Sequence, residues 1–385
     1  MKKSRASEKS RDASSRRFKV VSLFGIRSDI IKMSPVFPLL DEYFDHVMVH
    51  SNQHYNYNMD KIFFKELHLR EPDHNLNAGS GTHAEQASKI MLGFEKVLMH
   101  EKPDAVVVQG DTNTTMAGAI VASKLNVLLF HIEGGCRGFA KNEPEEINRK
   151  VSDHLSDLIF VPDEESRQNL LREGFEPERV FLSGNTSLDV CLRNVKLVPA
   201  DVCQRYGVEK GKFAAATIHR SQNTASRERL GNILEAFEVV STFCPVVFPV
   251  HPRTKAAAQR FSLSFGRLTK SMEPIGYLDM LGLMKNARMV ITDSASIQEE
   301  AVFLNVPCLV AYNETPWVPY VISGKNKLVG WKKGDIVSEA KKLFFDDKYY
   351  EHIKGIPYKN YPNVSEKIVK KMQSWFEENS KKLIK

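Results

Sequence analysis

Short apolar runs alternate with helical patterns along most of this chain, and this alternation restricts its possible folds more than any other feature. Six runs lie in the first half and four in the second, at residues 19–24, 46–50, 105–109, 127–131, 158–161, 180–182, 213–218, 246–250, 289–292 and 308–311. A polar, proline-containing stretch near residues 198–212 separates the two groups. Such alternation is typical of parallel sheets covered by helices. We therefore predict an α/β protein with two doubly wound Rossmann-like domains that face each other across a cleft.

The length of 385 residues agrees with two domains, since one domain usually holds roughly 100–200 residues. We predict a first domain at residues 18–195 and a second at residues 196–360. The predicted flanking segments are a disordered basic tail at residues 1–17 and a C-terminal helix at residues 361–385 that packs back on the first domain.

The net charge of +7 comes mostly from the first 17 residues. These carry seven Lys or Arg and two acids, which gives +5 and leaves +2 for the rest of the chain. Because no basic stripe is interleaved with aromatic residues, we do not expect nucleic-acid binding. The tail is either a disordered arm or a weak contact for anionic membrane lipid.

Composition also favours a cytoplasmic protein. No apolar run approaches the roughly 20 residues of a membrane helix, so stable membrane insertion is not expected. The first residues lack the apolar core of a signal peptide. The five cysteines have neither metal-site nor disulfide-framework spacing, which favours a reducing compartment and predicts no metal site.

The stretch MVITDSASIQEEA at residues 289–301 has the pattern of an anion site, because an apolar strand enters a helix through small polar residues. Backbone N–H groups of the first helical turn attract a phosphate. Asp293 or Ser294 can cap this helix, and Ala295 and Ser296 are small enough to let a phosphate approach. The alternative is an ordinary capped helix.

Glu299 and Glu300, one turn further on, add acceptors suited to a sugar diol. A second cationic turn follows the first strand, where Arg27 and Lys32 lie five residues apart after Gly25. Arg27 can bind a diphosphate with its planar fork, and Lys32 can supply a second charge. The alternative for this pair is two solvated helix charges.

Asp111 and Glu133 each follow a predicted central strand. Burial there would raise the pKa of each carboxyl towards general acid or base function. Glu145 and Arg149 lie four residues apart at the start of a helix, where a plain ion pair is the simpler interpretation. His219 and His251 also follow strands. A lone His is more often structural than catalytic, and two after adjacent strands only modestly raise the case for catalysis.

These segments together resemble the non-hydrolysing UDP-N-acetylglucosamine 2-epimerases and their relatives that act on other UDP-2-acetamido sugars, including the diacetamido-uronate type. The resemblance runs from about Val20 to Gly330 through GIRSDIIKMSPV, SNQHYNYNM, GDTNTTMAGA, HIEGGCR, PEEINRKVSDHLSD, SGNTSLDV, ATIHRSQNT, HPRT and TDSASIQEEA. It implies a glycosyltransferase B type fold, a UDP-sugar substrate, no cofactor and a homodimer.

The resemblance also implies residue roles. The diphosphate contacts are Arg27, His219 and Ser294, with Ala295 and Ser296 alongside, and Glu300 is the ribose contact. The sugar-site residues are Lys32, Asp111, Glu133, Glu145 and Arg149, whose carboxylates form the acid/base set, with His219 counted among the catalytic residues. Gln53 and His54 match positions where bacterial members bind an additional, allosteric UDP-sugar.

Several carboxylates are needed because the C2 hydrogen of the sugar is not next to a carbonyl, so simple deprotonation would be too slow. In the family, UDP leaves C1 while a base removes the C2 proton, which gives a glycal. UDP then adds back with protonation on the opposite face. Such a reaction needs a base, an acid and a firm hold on the departing diphosphate.

The chain departs from the family pattern around the substrate. The altered positions are Ser28, Gln222, Ala295, Ser296, Tyr312, Pro316 and Pro319. They remove an Arg and several Glu and add a Cβ at residue 295, so either the substrate differs or catalysis is weakened. The alternatives to a surface-polysaccharide epimerase are therefore a UDP-sugar hydrolase or glycosyltransferase on the same fold, and a catalytically impaired UDP-sugar binder.

Overall fold

A computed structural model describes residues 17–52, 64–65, 67–139, 143–358 and 361–383, with side chains to residue 379. The predicted tail at residues 1–16 and the predicted allosteric residues Gln53 and His54 lie outside this described part. None of the described helices is long and apolar enough to cross a membrane.

Two parallel sheets organise the described chain. The first is ordered β3-β2-β1-β4-β5-β6-β7 and the second β10-β9-β8-β11-β12-β13, with every pair parallel. The strands are β1 (Lys19–Phe24), β2 (Asp45–His50), β3 (His74–Asn75), β4 (Ala105–Gln109), β5 (Leu128–Ile132), β6 (Leu158–Val161), β7 (Val180–Leu182), β8 (Ala214–Thr217), β9 (Val246–Pro249), β10 (Lys270–Met272), β11 (Met289–Thr292), β12 (Cys308–Val310) and β13 (Asn326–Leu328). The prediction of two doubly wound parallel sheets is confirmed.

Helices cover these sheets and connect their strands. They are α1 (Arg27–Met33), α2 (Phe37–Tyr43), α3 (His83–Glu101), α4 (Asn113–Lys124), α5 (Pro144–Leu155), α6 (Glu164–Arg172), α7 (Thr186–Asn194), α8 (Val202–Arg205), α9 (Ser221–Thr224), α10 (Arg227–Ser241), α11 (Pro252–Phe261), α12 (Tyr277–Asn286), α13 (Ala295–Phe303), α14 (Val318–Ile322), α15 (Lys333–Phe345), α16 (Asp347–Gly355) and α17 (Val364–Leu383), with a short 3₁₀ turn at Pro177–Arg179.

Strand β1 explains why the apolar runs are continuous. Val20 and Phe24 pack into the layer on one face of the first sheet, whereas Val21 and Leu23 pack into the layer on the other. Helices cover both faces of such a strand, so nearly every position is apolar and no polar alternation remains.

Three strands escaped prediction, and all three lie at sheet edges: β3, β10 and β13. Each has only two or three residues and carries His, Asn, Lys or Ser, so none forms an apolar run. Edge strands need less apolar surface because one side has no neighbouring strand.

Helix α17 packs against residues in and next to the first sheet. Phe376 stacks on Phe18 with ring centroids 4.4 Å apart, and Trp375 meets Phe130 edge-on at 5.4 Å. Ser365 at the start of the helix donates its hydroxyl and its backbone N–H to Asp189 of α7. The last helix of the chain thus returns to the first half of the molecule.

The strand order reverses between β1 and β4 in the first sheet and between β8 and β11 in the second. Ligands of doubly wound sheets bind at the carboxyl ends of strands beside such reversals. Gly25, directly after β1, lies at the first reversal, where a Cβ would come within 2.6 Å of the Ser51 hydroxyl and would also clash with Thr114. Only glycine permits this close approach.

Candidate active site

Lys32 connects the two halves of the molecule through carboxylates. Its Nζ lies 2.6 Å from Oε1 and 2.8 Å from Oε2 of Glu133, which follows β5, and 3.3 Å from Oε2 of Glu299 on α13. Burial lowers the pKa of Lys32, but these two carboxylates outweigh burial and hold it well above its usual range. The predicted sugar-site residues Lys32 and Glu133 are therefore in direct contact, within a buried charge cluster that also includes Glu299.

Glu133 has a strained backbone. Its φ of 69° lies in the left-handed region, which a non-glycine residue adopts only when its surroundings impose it. Its N–H donates to the Phe160 carbonyl at 2.9 Å, and Gln109 donates from Nε2 to its carboxylate at 2.6 Å. Together with Lys32, these contacts fix the carboxylate in one orientation.

A second charge cluster surrounds Arg149 on α5. Its guanidinium donates to Asp111, which follows β4, and to Glu146 at 2.9 Å. Glu143, at the N-cap of the same helix, lies 3.4 Å from Arg149 and 2.9 Å from Arg220 of the second half. Among the described residues, ion pairs join the halves through Lys32 and through Glu143.

Two expectations about this cluster are wrong. Asp111 was expected to be buried, but 37% of its side chain is exposed. Glu145 is exposed and does not pair with Arg149. Arg149 instead uses Glu143 and Glu146, since these acids face the inner side of the helix while Glu145 faces solvent.

Glu299 also differs from expectation. Instead of offering free acceptors to a diol, its fully buried carboxylate contacts Lys32 and accepts a hydrogen bond from Asn185 at the start of α7. Burial raises its pKa to about 8, and Glu133 adds to this effect while Lys32 opposes it. This carboxylate therefore belongs to the contact between the halves.

The strand-to-helix turn after β11 differs from expectation in its capping. Ser294 occupies the N-cap of α13, but no side chain caps the helix. The Asp293 carboxylate points the other way and accepts from the N–H groups of His219 at 2.9 Å and Arg220 at 3.0 Å and from Asn223 at 2.9 Å. Asp293 thus orders the loop after β8 and does not cap α13.

Two neutral imidazoles lie beside this turn. His219 after β8 and His251 after β9 stack with ring centroids 5.0 Å apart. Burial lowers the pKa of each to about 4, and the positive charges of Arg253 and Arg27 contribute to both shifts. Arg27 is exposed at the start of α1 in the first half, so its charge reaches the second half across the cleft. Sequence reasoning gave His251 no role, although the HPRT motif contains it.

Glu300 is buried beside the Tyr277 phenol. Burial raises the pKa of its carboxyl to about 7, while Tyr277, Lys32 and Arg27 act in the opposite direction. Lys32 and Arg27 both belong to the first half. The predicted ribose contact therefore lies close to the predicted diphosphate and sugar contacts.

Near residue 312, where the chain differs from the family pattern, aromatic side chains pack in place of charged ones. The Arg220 guanidinium lies 5.3 Å from the Tyr312 ring centre, a cation–π distance. Trp317 is buried, stacks on Tyr320 at 5.7 Å and has the Lys32 ammonium 5.8 Å from its ring. Pro316 and Pro319 flank Trp317, so this loop contacts both charge clusters through rings.

Comparisons with known proteins agree with this geometry. A family model described as UDP-N-acetylglucosamine 2-epimerase matches residues 40–373. The UDP-N-acetylglucosamine 2-epimerase of Methanocaldococcus jannaschii is 45% identical over 331 residues, which are 83% of this chain and 90% of that protein. The UDP-2,3-diacetamido-2,3-dideoxy-D-glucuronate 2-epimerase of Pseudomonas aeruginosa is 37% identical over 330 residues, which are 84% and 91% of the two chains.

A solved structure extends the likeness to three dimensions. The crystal structure of the M. jannaschii UDP-GlcNAc 2-epimerase in complex with UDP-GlcNAc and UDP matches with a TM-score of 0.84 and 41% identity, over 92% of this chain and 99% of that chain. The predicted glycosyltransferase B type fold and the family resemblance are both confirmed. By sequence, by fold and by the motifs that form its two charge clusters, the chain belongs to the UDP-N-acetylglucosamine 2-epimerase family.

Proposed function

We propose that this protein inverts C2 of a UDP-2-acetamido sugar, interconverting UDP-N-acetylglucosamine and UDP-N-acetylmannosamine. The observation that carries the proposal is the contact of Lys32 with Glu133 and Glu299. This contact puts a buried cluster of charged side chains from the first half against α13, the helix that follows the strand-to-helix turn of the second half. Relatives named as 2-epimerases of UDP-sugars support the same reaction.

The reaction that we propose is elimination followed by re-addition. A carboxylate removes the C2 proton, the C2–H electron pair forms the C1–C2 double bond, and the C1–O bond to UDP breaks. UDP then adds to C1 of the glycal while an acid protonates C2 from the opposite face. Glu133 and Asp111 are the proposed base and acid, since each follows a central strand and each is fixed by a cation.

Lys32 and Arg149 hold these carboxylates and offset negative charge that develops as UDP departs. Glu145 completes the proposed catalytic set, with its side chain free to turn towards a bound sugar because it is exposed. Catalysis in this proposal needs no cofactor, because each step only transfers a proton or breaks or forms the C1–O bond.

The second half holds UDP in this proposal. Ser294, Ala295 and Ser296 surround the diphosphate at the first turn of α13, where Ala295 and Ser296 donate backbone N–H groups, and Arg27 supplies a charge from the first half. His219 joins them as a neutral donor, since its pKa of about 4 leaves the imidazole uncharged near neutral pH. Glu300 accepts from the ribose hydroxyls.

Several wider features belong to the same proposal. Residues 18–195 form the sugar-side domain, residues 196–360 the UDP-side domain and residues 361–385 a helix returning to the first. The protein is a cytoplasmic homodimer that supplies cell-surface polysaccharide synthesis. Each of these statements extends the family likeness to this chain.

Proton NMR of UDP-GlcNAc incubated with the purified protein tests the proposed activity. Epimerisation yields a mixture in which both sugars remain attached to UDP. Accumulation of free UDP with a free sugar would instead identify a hydrolase. Binding of UDP-GlcNAc without any turnover of a UDP-2-acetamido sugar would identify a binding protein.

A further inference from the structure

A network of four charged side chains, three of them buried, lies directly behind Asp111 and Glu133. His131, the penultimate residue of β5, places Nδ1 2.8 Å from Oδ1 of Asp153. Asp153 Oδ2 accepts from Arg137 Nη1 at 2.7 Å, and Arg137 donates to both carboxylate oxygens of Glu173, at 2.8 and 2.7 Å. The side chains of His131, Asp153 and Arg137 are fully buried.

The second ring nitrogen of His131 identifies its charge state. Nε2 lies 2.8 Å from the carbonyl oxygen of Gly110, which can only accept. Nδ1 faces the Asp153 carboxylate, which is also an acceptor. Both nitrogens therefore carry hydrogens, and His131 is a buried imidazolium balanced by Asp153. Burial lowers the pKa of His131, but the bond to Asp153 outweighs burial and raises it overall.

The network contacts the backbone of both loops that bear the proposed acid and base. Gly110, whose carbonyl His131 holds, directly precedes Asp111, and Asp153 accepts at 3.1 Å from the N–H of Gly135, two residues after Glu133. A Cβ on Gly134 would lie 2.5 Å from Asp153 Oδ1 and 3.1 Å from His131 Nδ1, so glycine is required for the loop to close on the network.

We propose that His131 is a positioning residue, whose bonds to Asp153 and to the Gly110 carbonyl set the separation of Asp111 and Glu133. This inference rests on the proposed roles of Asp111 and Glu133 in the epimerase. It adds a residue that touches no substrate yet determines where the two carboxylates lie, and small displacements of catalytic groups cost large factors in rate.

Two substitutions of His131 each retain only one of its two hydrogen bonds, so their effects can be compared. His131→Gln can keep a donor near the Nε2 position towards Gly110, whereas His131→Asn can keep a donor only near the Nδ1 position towards Asp153. His46→Asn is the matched control. His46 is buried on β2 and bonds Asp41 at 2.7 Å and Ser22 at 2.8 Å, but it lies near the amino end of its strand, away from the site.

We expect His131→Asn to lower kcat by about tenfold or more while the Kd for UDP, measured by calorimetry, stays within about twofold. His131→Gln should retain several times more activity than His131→Asn, and His46→Asn should keep wild-type kcat despite a comparable fall in Tm. Equal loss of kcat in both His131 variants, in step with their Tm, would overturn the positioning role. So would loss of UDP affinity in parallel with kcat.

NMR of the wild-type protein labelled with ¹⁵N-histidine keeps the inference testable if the variants do not fold. One histidine should show two protonated ring nitrogens at about pH 7 and should lose a proton only above the pH at which an ordinary histidine does. If every histidine shows a neutral tautomer at about pH 7, the inference fails. Absence of epimerisation by the wild-type protein would instead refute the proposed function, which the NMR result does not depend on.

Discussion

The carboxyl edges of the two sheets have the same topology but differ in the charge of the side chains that lie there. At the first sheet, Asp111 and Glu133 each contact a cation, Arg149 and Lys32 respectively. At the second sheet, the imidazoles of His219 and His251 have pKa values lowered to about 4, and the pKa of buried Glu300 is raised to about 7. The first edge therefore holds carboxylates paired with cations, whereas at the second edge the pKa shifts of these three groups favour their neutral forms.

This difference supports the proposed roles of the two edges, with proton transfer at the first and diphosphate binding at the second. Proton transfer needs carboxylates that are oriented and balanced by cations, and the first edge provides them. Binding a diphosphate needs donors that add no fixed negative charge, and a helix N-terminus with neutral imidazoles provides those. The topology of a doubly wound sheet fixes only where a ligand lies, and the residues after each strand decide what is done to it.

The largest effects should follow loss of charge at the first edge. We expect Glu133→Gln and Asp111→Asn each to lower kcat by roughly two or more orders of magnitude, because the amide cannot accept a proton. UDP affinity should change little, since the proposed UDP site lies at the other edge. Steady-state kinetics and calorimetry measure the two quantities, and wild-type kcat in either variant would remove that residue from the acid/base set.

A larger side chain at the second edge should have the opposite effect, weakening UDP binding. We expect Ala295→Val to weaken UDP binding by about tenfold, because its side chain crowds the first turn of α13, where a diphosphate needs backbone N–H groups. Replacing Ala295 and Ser296 by glycine should tighten UDP. Ala256→Val, at an exposed position of α11, is the control for valine in a helix. Equal affinities in all four proteins would mean that the phosphate binds elsewhere.

Glu145 and Glu146 are neighbours on α5, and we expect their substitutions to affect stability and kcat differently. Glu146 is buried against Arg149, so Glu146→Gln should lower the free energy of unfolding by about 1–3 kcal/mol, because it removes charge from a buried pair. Glu145 is exposed, so Glu145→Gln should leave stability unchanged while lowering kcat by about tenfold or more. Denaturant unfolding with kinetics on both variants tests this, and unaltered kcat in Glu145→Gln would exclude it from catalysis.

A smaller effect should appear in the pH dependence of stability. The pKa values of His219 and His251 are lowered to about 4 from an ordinary value of 6.5, so the unfolded chain binds protons first as pH falls. Their contribution to stability is complete above about pH 6.5 and is lost between about pH 6.5 and about pH 4. Because His219 is one-third exposed, we expect only about 1 kcal/mol more loss from pH 7 to pH 5 than in a His219→Gln, His251→Asn protein. Identical losses would contradict neutral imidazoles.

The sequence predicted the sheets well because β1 and its central neighbours are buried on both faces and read as continuous apolar runs. It placed Asp111 and Glu133 at one edge because polar residues directly after such strands meet there, and it placed Lys32 on the helix after β1; the catalytic roles of all three stay predictions. It could not predict which acid of Glu143, Glu145 and Glu146 faces Arg149, since the orientation of α5 depends on packing between elements far apart in the chain.

The role of Asp293 was hidden for a similar reason. Its place before a helix suggested a cap, but its partners are N–H groups on a loop more than 70 residues earlier. Glu299 likewise finds Asn185, 114 residues away, and Lys32 in the other half. Local spacing carries no information about such partners, so the contact between the halves became visible only in the folded structure.

Epimerisation of UDP-GlcNAc in D₂O, followed by proton NMR at C2, tests the central claim most directly. If Glu133 and Asp111 transfer the C2 proton during elimination and re-addition, UDP-N-acetylmannosamine should form with deuterium at C2, and recovered UDP-GlcNAc should gain the label. Formation of the epimer with hydrogen retained at C2 would contradict exchange through these carboxylates. Release of UDP and sugar without re-addition would contradict the epimerase itself.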